Sequence, residues 1–190
     1  MFTVNKIIIN IVLIVTISSC LIGCNSTDKK IEESIIKAEV LDKKFANFQI
    51  SYDDYMSEIE DIYNSKYYTE DEHIKRTHPI IDINKENYIK AQKQATKDAI
   101  RYDAEIQISK VYNDKNNMKI VFTKVKIIPR NKNLPIQHLS KKYYFSKENN
   151  EWKIIGKDAM CYYEKFDKPI MYTTFDGKPI EYIQKVNLFP

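Results

Sequence analysis

The chain has 190 residues, 43% of them hydrophobic, and a formal net charge of +4 at neutral pH. That is the length of one domain able to bury its own core, and the charge is too mild to indicate nucleic acid, which calls for a basic stripe or cluster. Of the 30 basic residues 27 are lysine, in a composition also rich in Ile, Asn and Tyr, so lysine content marks no particular partner, and only three glycines argue against a Gly-rich phosphate loop or a repeat array.

The first residues carry an address. Met1–Lys6 is a short segment with one positive charge, and Ile7–Ile17 is apolar apart from Asn10 and Thr16. A short apolar run with small residues before a cut site reads as a signal peptide; a stable span needs roughly 20 apolar residues. Leu21-Ile22-Gly23-Cys24 follows and resembles the lipobox of bacterial lipoproteins: a branched apolar residue, a tolerated second position, a small residue, then cysteine. The resemblance implies diacylglyceryl transfer to the Cys24 sulfur and cleavage before it. The expected product is anchored by lipid to the outer, extracytoplasmic face of the cell membrane, where two acyl chains hold stably and one holds only marginally. Ile17-Ser18-Ser19-Cys20 is a weaker second box. The polar run 25–30 is a tether of ~20 Å at most.

Along the body, Ser26, Thr27 and Asp28 offer N-cap chemistry, and Ile31, Ile35, Ala38, Leu41, Phe45 and Phe48 recur at three and four, predicting an amphipathic helix. Ser51 with Asp54 makes a capping-box-like start, and Ile50 with Tyr55 a hydrophobic staple, for a second helix with Tyr55, Ile59 and Ile62 inward. Thr69 with Glu72 signals a short helical turn stopped by Pro79. His78–Ile83 is a brief strand candidate. Asn84 to about Ile100 reads as another helix, with Tyr88, Ala91, Ala95 and Ala99 inward.

The period then changes from 3.6 to 2. Tyr102, Ala104, Ile106 and Ile108 alternate with Asp103, Glu105, Gln107 and Ser109. Asn113–Asn117 is a turn cluster. Met118–Ile128 is a long strand with Met118, Ile120 and Phe122 on one face and Val121, Val125 and Ile127 on the other. His138–Ser146 and Glu151–Tyr163 form a hairpin across Lys147-Glu148-Asn149-Asn150. Asp176-Gly177 is a hairpin turn signal between Ile170–Phe175 and Ile180–Val186. Helices first and antiparallel strands later make an α+β domain, helices packed on a curved antiparallel sheet.

The segment Tyr143-Tyr144-Phe145-Ser146-Lys147-Glu148-Asn149-Asn150-Glu151-Trp152-Lys153-Ile154-Ile155-Gly156 resembles the last hairpin of nuclear-transport-factor-2-like (cystatin-like) domains, in which an aromatic strand, a polar turn and Trp-Lys-Ile recur. The resemblance implies a cone-like fold, loosely by element order over 28–163. The expected organisation is a signal peptide over 1–23, lipidated Cys24 with a tether over 24–30, a cone-like domain over 31–165, and a C-terminal extension over 166–190 with room for an extra hairpin. That superfamily includes isomerases, dehydratases, transport factors and inert scaffolds, so its fold alone assigns no function.

The chemical candidates are sparse. His73 and His78 are five apart, and a helical metal pair needs four for both imidazoles to share a face, so no metal and no cofactor is expected. Enzymes of the resembled superfamily use a cavity carboxylate with a tyrosine or histidine. Asp103 and Glu105 on one strand face, with Tyr143 or another of Tyr102, Tyr144, Tyr162 and Tyr163, are the residues available for that role, and a solvated strand face is the simpler account. Cys161 is expected as a small buried hydrophobe. Lys29-Lys30 and Lys141-Lys142 are basic pairs that anionic head groups would attract, against the plainer reading of a solvated face. The leading expectation is therefore a non-catalytic envelope lipoprotein that binds a partner protein or small ligand. The rivals are an isomerase- or dehydratase-type enzyme and an accessory or immunity factor of a larger envelope machine.

Overall fold

The computed structural model describes residues 27–64, 84–94, 102–114 and 116–188. The leader, the turn expected from Thr69, the strand expected over His78–Ile83, both His73 and His78, and the end of the helix expected to reach Ile100 lie outside the described residues.

Helix α1 covers 27–46 and buries Ile31, Ile35, Ala38, Leu41 and Phe45 of the stripe that the 3.6 period predicts, while Phe48, its expected last member, lies past the helix end and is half-buried. The helix is stopped by Phe48, whose φ of 56° is left-handed. The Gln49 N–H reaches back to the Lys44 carbonyl at 2.8 Å and the Phe48 N–H to the Phe45 carbonyl at 3.0 Å, the pairing of a Schellman stop. A side-chain-bearing residue there costs about 1–2 kcal/mol. Packing offsets it: the Phe48 ring lies 5.3 Å from Tyr88, and its carbonyl accepts from Gln92 Nε2 at 3.1 Å.

Helix α2, Tyr52–Glu60, starts at Ser51, whose Oγ accepts the Asp54 N–H at 3.1 Å. Helix α3, Lys85–Gln94, starts with Asn84 Oδ1 accepting the Asn87 N–H at 2.8 Å. Phe45 joins the three helices: its ring stacks on Tyr55 from α2 and on Tyr88 from α3, each with centroids 4.1 Å apart. The Tyr88 hydroxyl also donates to the carbonyls of Phe45 at 3.1 Å and Ile50 at 2.8 Å.

The strands are β1 Tyr102–Ser109, β2 Tyr112–Asn113, β3 Lys119–Pro129, β4 Gln137–Glu148, β5 Glu151–Tyr163, β6 Thr174–Phe175, β7 Lys178–Pro179 and β8 Tyr182–Asn187. The main sheet is open, curved and antiparallel in the order β5-β4-β3-β1-β8, with β2 beside β3. Residues Asn149 and Asn150 take φ of 48° and 66° in the β4–β5 turn, the two left-handed positions of a type I′ hairpin. Two one-residue register shifts, at Tyr144/Phe145 against β5 and at Ile108/Ser109 against β8, bend the sheet as bulges do. At the second, buried Ser109 stands in for the ladder: its Oγ donates to the Lys110 carbonyl at 2.8 Å and accepts the Phe122 N–H at 2.9 Å.

The helices cover one face of this sheet. On the other, Ile120 and Phe122 form a second small core with Ile180, flanked by Tyr112, Tyr172 and Phe175. The segment after β5 crosses that outer face, and the β6–β7 hairpin turns at Asp176-Gly177 with φ of 50° and 75°. The turn is where the sequence indicates it, and β7 pairs back on β6 as far as the Ile180 N–H to the Thr173 carbonyl at 3.0 Å, but the stretch 182–187 does not continue that ladder. β8 instead runs along β1 and forms the sheet edge, because Val186 is needed opposite Ile106 on the helical face.

Two substitutions probe the helical layer. Phe45→Ala removes the central ring and should cost about 3–5 kcal/mol. Tyr88→Phe keeps both stacked faces and loses only the hydroxyl bonds, so a smaller loss of about 1–2 kcal/mol is expected. Urea unfolding of both variants tests the ranking.

Candidate functional site

Both carboxylates read from the sequence lie on the outer face. Asp103 is exposed, with Arg130 Nη2 at 3.5 Å. Glu105 pairs with Lys185 at 2.8 Å, and the hydrogen bond from Lys185 holds its carboxyl below the usual carboxylate range. Tyr143 is fully buried on the helical face. The sheet therefore separates Asp103 and Glu105 from Tyr143 and does not bring them together.

What Tyr143 meets is a polar cluster under α1. Glu39, fully buried, accepts at one oxygen from Lys141 Nζ at 2.7 Å and from the Tyr143 hydroxyl at 2.6 Å. One turn later Asp42 accepts from the Tyr55 hydroxyl at 2.9 Å and from Lys157 Nζ at 2.7 Å. Lys43 and Tyr63 are buried beside them. The placement follows from two periods. Residues 39, 42 and 43 share one helix face, while Lys141 and Tyr143 alternate inward on β4 and Lys157 stands directly across from Tyr143 on β5.

The fields in this cluster are strong. Burial alone would raise Glu39, but Lys141, Lys43 and Lys157 reverse it and hold the carboxyl below its ordinary value. Burial, then the charge on Glu39, push the Tyr143 phenol well up. Burial and the neighbouring Lys141 push Lys43 down to about 8. Burial would lower Lys157, and Asp42 instead raises it. Burial lifts the Tyr63 phenol to about 12. The result is an ionised Glu39 held by the Lys141 ammonium and the neutral Tyr143 phenol, with its second oxygen buried and without a hydrogen-bond partner among the described residues.

Sequence periodicity places the apolar stripe of α1 and passes over Glu39 and Asp42 within it. The available signal is a coincidence of two interruptions: acids three apart inside the stripe, and Lys141 inside the inward row Leu139, Tyr143, Phe145. Lys141, expected on a solvated face, is therefore a core residue with a side chain 6% exposed. Cys161 is corrected in the opposite sense. It lies on the edge strand β5 and is exposed, its Sγ accepting from Gln137 Nε2 at 3.1 Å.

The outer face holds a shallow groove of about 130 Å³ bordered by Lys124, His138, Ser140 and Tyr162. His138 Nε2 lies 2.7 Å from Glu164 and its ring stacks on Tyr162 at 4.6 Å, while Ser140 Oγ accepts the Tyr172 N–H at 3.0 Å. These contacts tie the C-terminal segment to the sheet. Among the described residues no cluster of three His, Cys, Asp or Glu is placed to hold a metal, and no helix is long and apolar enough to cross a membrane. No protein-family model, curated protein or solved structure matches the chain.

Two tests address the cluster. Glu39→Gln leaves Lys141 buried without its anion and should cost about 3–5 kcal/mol, whereas Glu39→Leu with Lys141→Met should recover most of that loss. Urea unfolding of the single and double variants reads the difference. The pH test uses Lys43. Its folded value of about 8 lies below the ordinary 10.5, so the unfolded chain binds its proton more tightly and the charged form destabilises the fold. That penalty is complete below pH 8 and is relieved as pH rises from 8 toward 10.5. Lys43→Met should therefore stabilise most below pH 8, and its gain in thermal melts should shrink above it.

Proposed function

We propose that the chain is the precursor of an extracytoplasmic lipoprotein, anchored through Cys24, whose cone-like domain is a non-catalytic binding or accessory module. The observation that carries the non-catalytic part is the bond between Glu39 and Tyr143. A cone-cavity enzyme would present a carboxylate and a phenol to substrate. Here both are fully buried and bonded to each other beneath α1. The anchoring part is supported by the order of leader, Leu21-Ile22-Gly23-Cys24 and a polar start to the body.

The anchor is tested by mass spectrometry of the native amino terminus and by Cys24→Ser. Expected are a diacylated cysteine at the terminus of the native protein and an uncut, unacylated variant. An intact Met1 terminus in the native protein overturns the anchor. The non-catalytic part is tested by hydrogen exchange. The amides of residues 31–45 should exchange only through global unfolding, because α1 must stay docked to keep Glu39 paired. Rapid exchange confined to α1 would open the interior to ligand and overturn it.

A further inference from the structure

One end of the sheet has a distinct makeup. The β4–β5 turn and the β2–β3 connection meet there, and Asp28 near the start of α1 is held to Lys119 of β3 at 3.2 Å. Trp152, the single tryptophan of the chain, stands at this end, half-buried and directly across from Lys147. The ammonium groups of Lys119 and Lys147 lie 5.4 and 5.6 Å from its ring centre. Two recesses border the Trp152 side chain. One, of about 460 Å³, is lined by Lys30, Lys37, Lys147 and Lys153 together with Glu33, Asp61 and Glu151, of which Asp61 and Glu151 pair with Lys37 and Lys153; the other includes Lys119, Lys147 and Asn117 with Asp114. Lys147 has no carboxylate in ion-pair range among the described residues, and the tips of the turns are the exposed amides Asn116, Asn117, Asn149 and Asn150.

We infer that this end is the surface that docks on the anchoring bilayer, with Trp152 at head-group level and Lys30 and Lys147 against the phosphates of anionic lipids. The inference rests on the proposed lipidation of Cys24 and adds an orientation to it. The argument is one of reach. The helix is already formed at residue 27, so Cys24 lies three residues away, at most about 11 Å of chain. The opposite end of the sheet is farther by the length of β3, 11 residues or roughly 35 Å. The lipid therefore holds the Trp152 end at the surface. That end carries an indole, which favours the membrane interface, beside lysines, which favour an anionic one.

Trp152 also supplies the probe. Full-length protein purified from membranes is reconstituted in vesicles of phosphatidylethanolamine and phosphatidylglycerol, with and without lipids brominated high on the acyl chain. Expected are a blue shift of the emission and loss of about half of it to the brominated lipid, weakened by high salt and by Lys30→Glu with Lys147→Glu. Salt needs no substitution, and far-UV circular dichroism checks that the variant is folded. Mass spectrometry of the same sample separates the two readings. An acylated Cys24 with an unquenched Trp152, or quenching indifferent to salt and to the lysines, overturns the docking surface and leaves the anchor standing. An unacylated terminus overturns both.

Discussion

The contact between α1 and the sheet is made by charge as much as by oil. Glu39 and Asp42 face Lys141, Lys157 and Tyr143 inside a shell of Ile35, Leu41, Phe45, Tyr55 and Phe145. Desolvating such groups cancels most of the Coulomb gain, so the cluster adds little net stability by comparison with an apolar filling. What it fixes is position. Sliding α1 by one turn, about 5.4 Å, would bury an unpaired carboxylate and an unpaired ammonium. A stripe of isoleucine and leucine alone would tolerate that slip far better. The ion pairs therefore select one seating of the helix among several that the apolar residues allow.

The remaining layers depend on that seating. With α1 placed, Phe45 receives Tyr55 and Tyr88 on its two faces, and Tyr88 and Gln92 satisfy the carbonyls exposed by the left-handed turn at Phe48. Strand β8 and the residue after it extend the same core through Val186 and Leu188. The outer face is a separate matter, closed by Tyr172, Phe175 and Ile180 over Phe122. The C-terminal segment thus serves both faces: its hairpin covers one and its last strand borders the other.

Local signals were legible and distant ones were not. The stripe Ile31–Phe45, the Ser51 cap, the alternation of Ala104, Ile106 and Ile108, and the Asn149-Asn150 turn are each written within a few residues, and each is in the structure. The partner of β8 was not legible, since turn chemistry at Asp176-Gly177 sets a reversal and not the strand that lies alongside afterwards. Glu39 was not legible either. A lone acid in an apolar stripe is indistinguishable from a solvated flank until Lys141, 102 positions later, is folded against it. Cys161 failed for a related reason: alternation says which face a side chain takes, and not whether anything reaches far enough along an edge strand to cover it.

The spans of these contacts bear on how the chain acquires its shape. The bonds from α1 to β4 and β5 join residues 102 to 115 apart, and β1 waits for β8 on its outer side. Structures dominated by such remote pairings fold slowly, because loop entropy is lost before any contact repays it. Glu39 and Asp42, set within the apolar stripe of α1, have no counter-charge until β4 and β5 stand opposite them. The final seating of α1 therefore requires the hairpin of β4 and β5 to be in place.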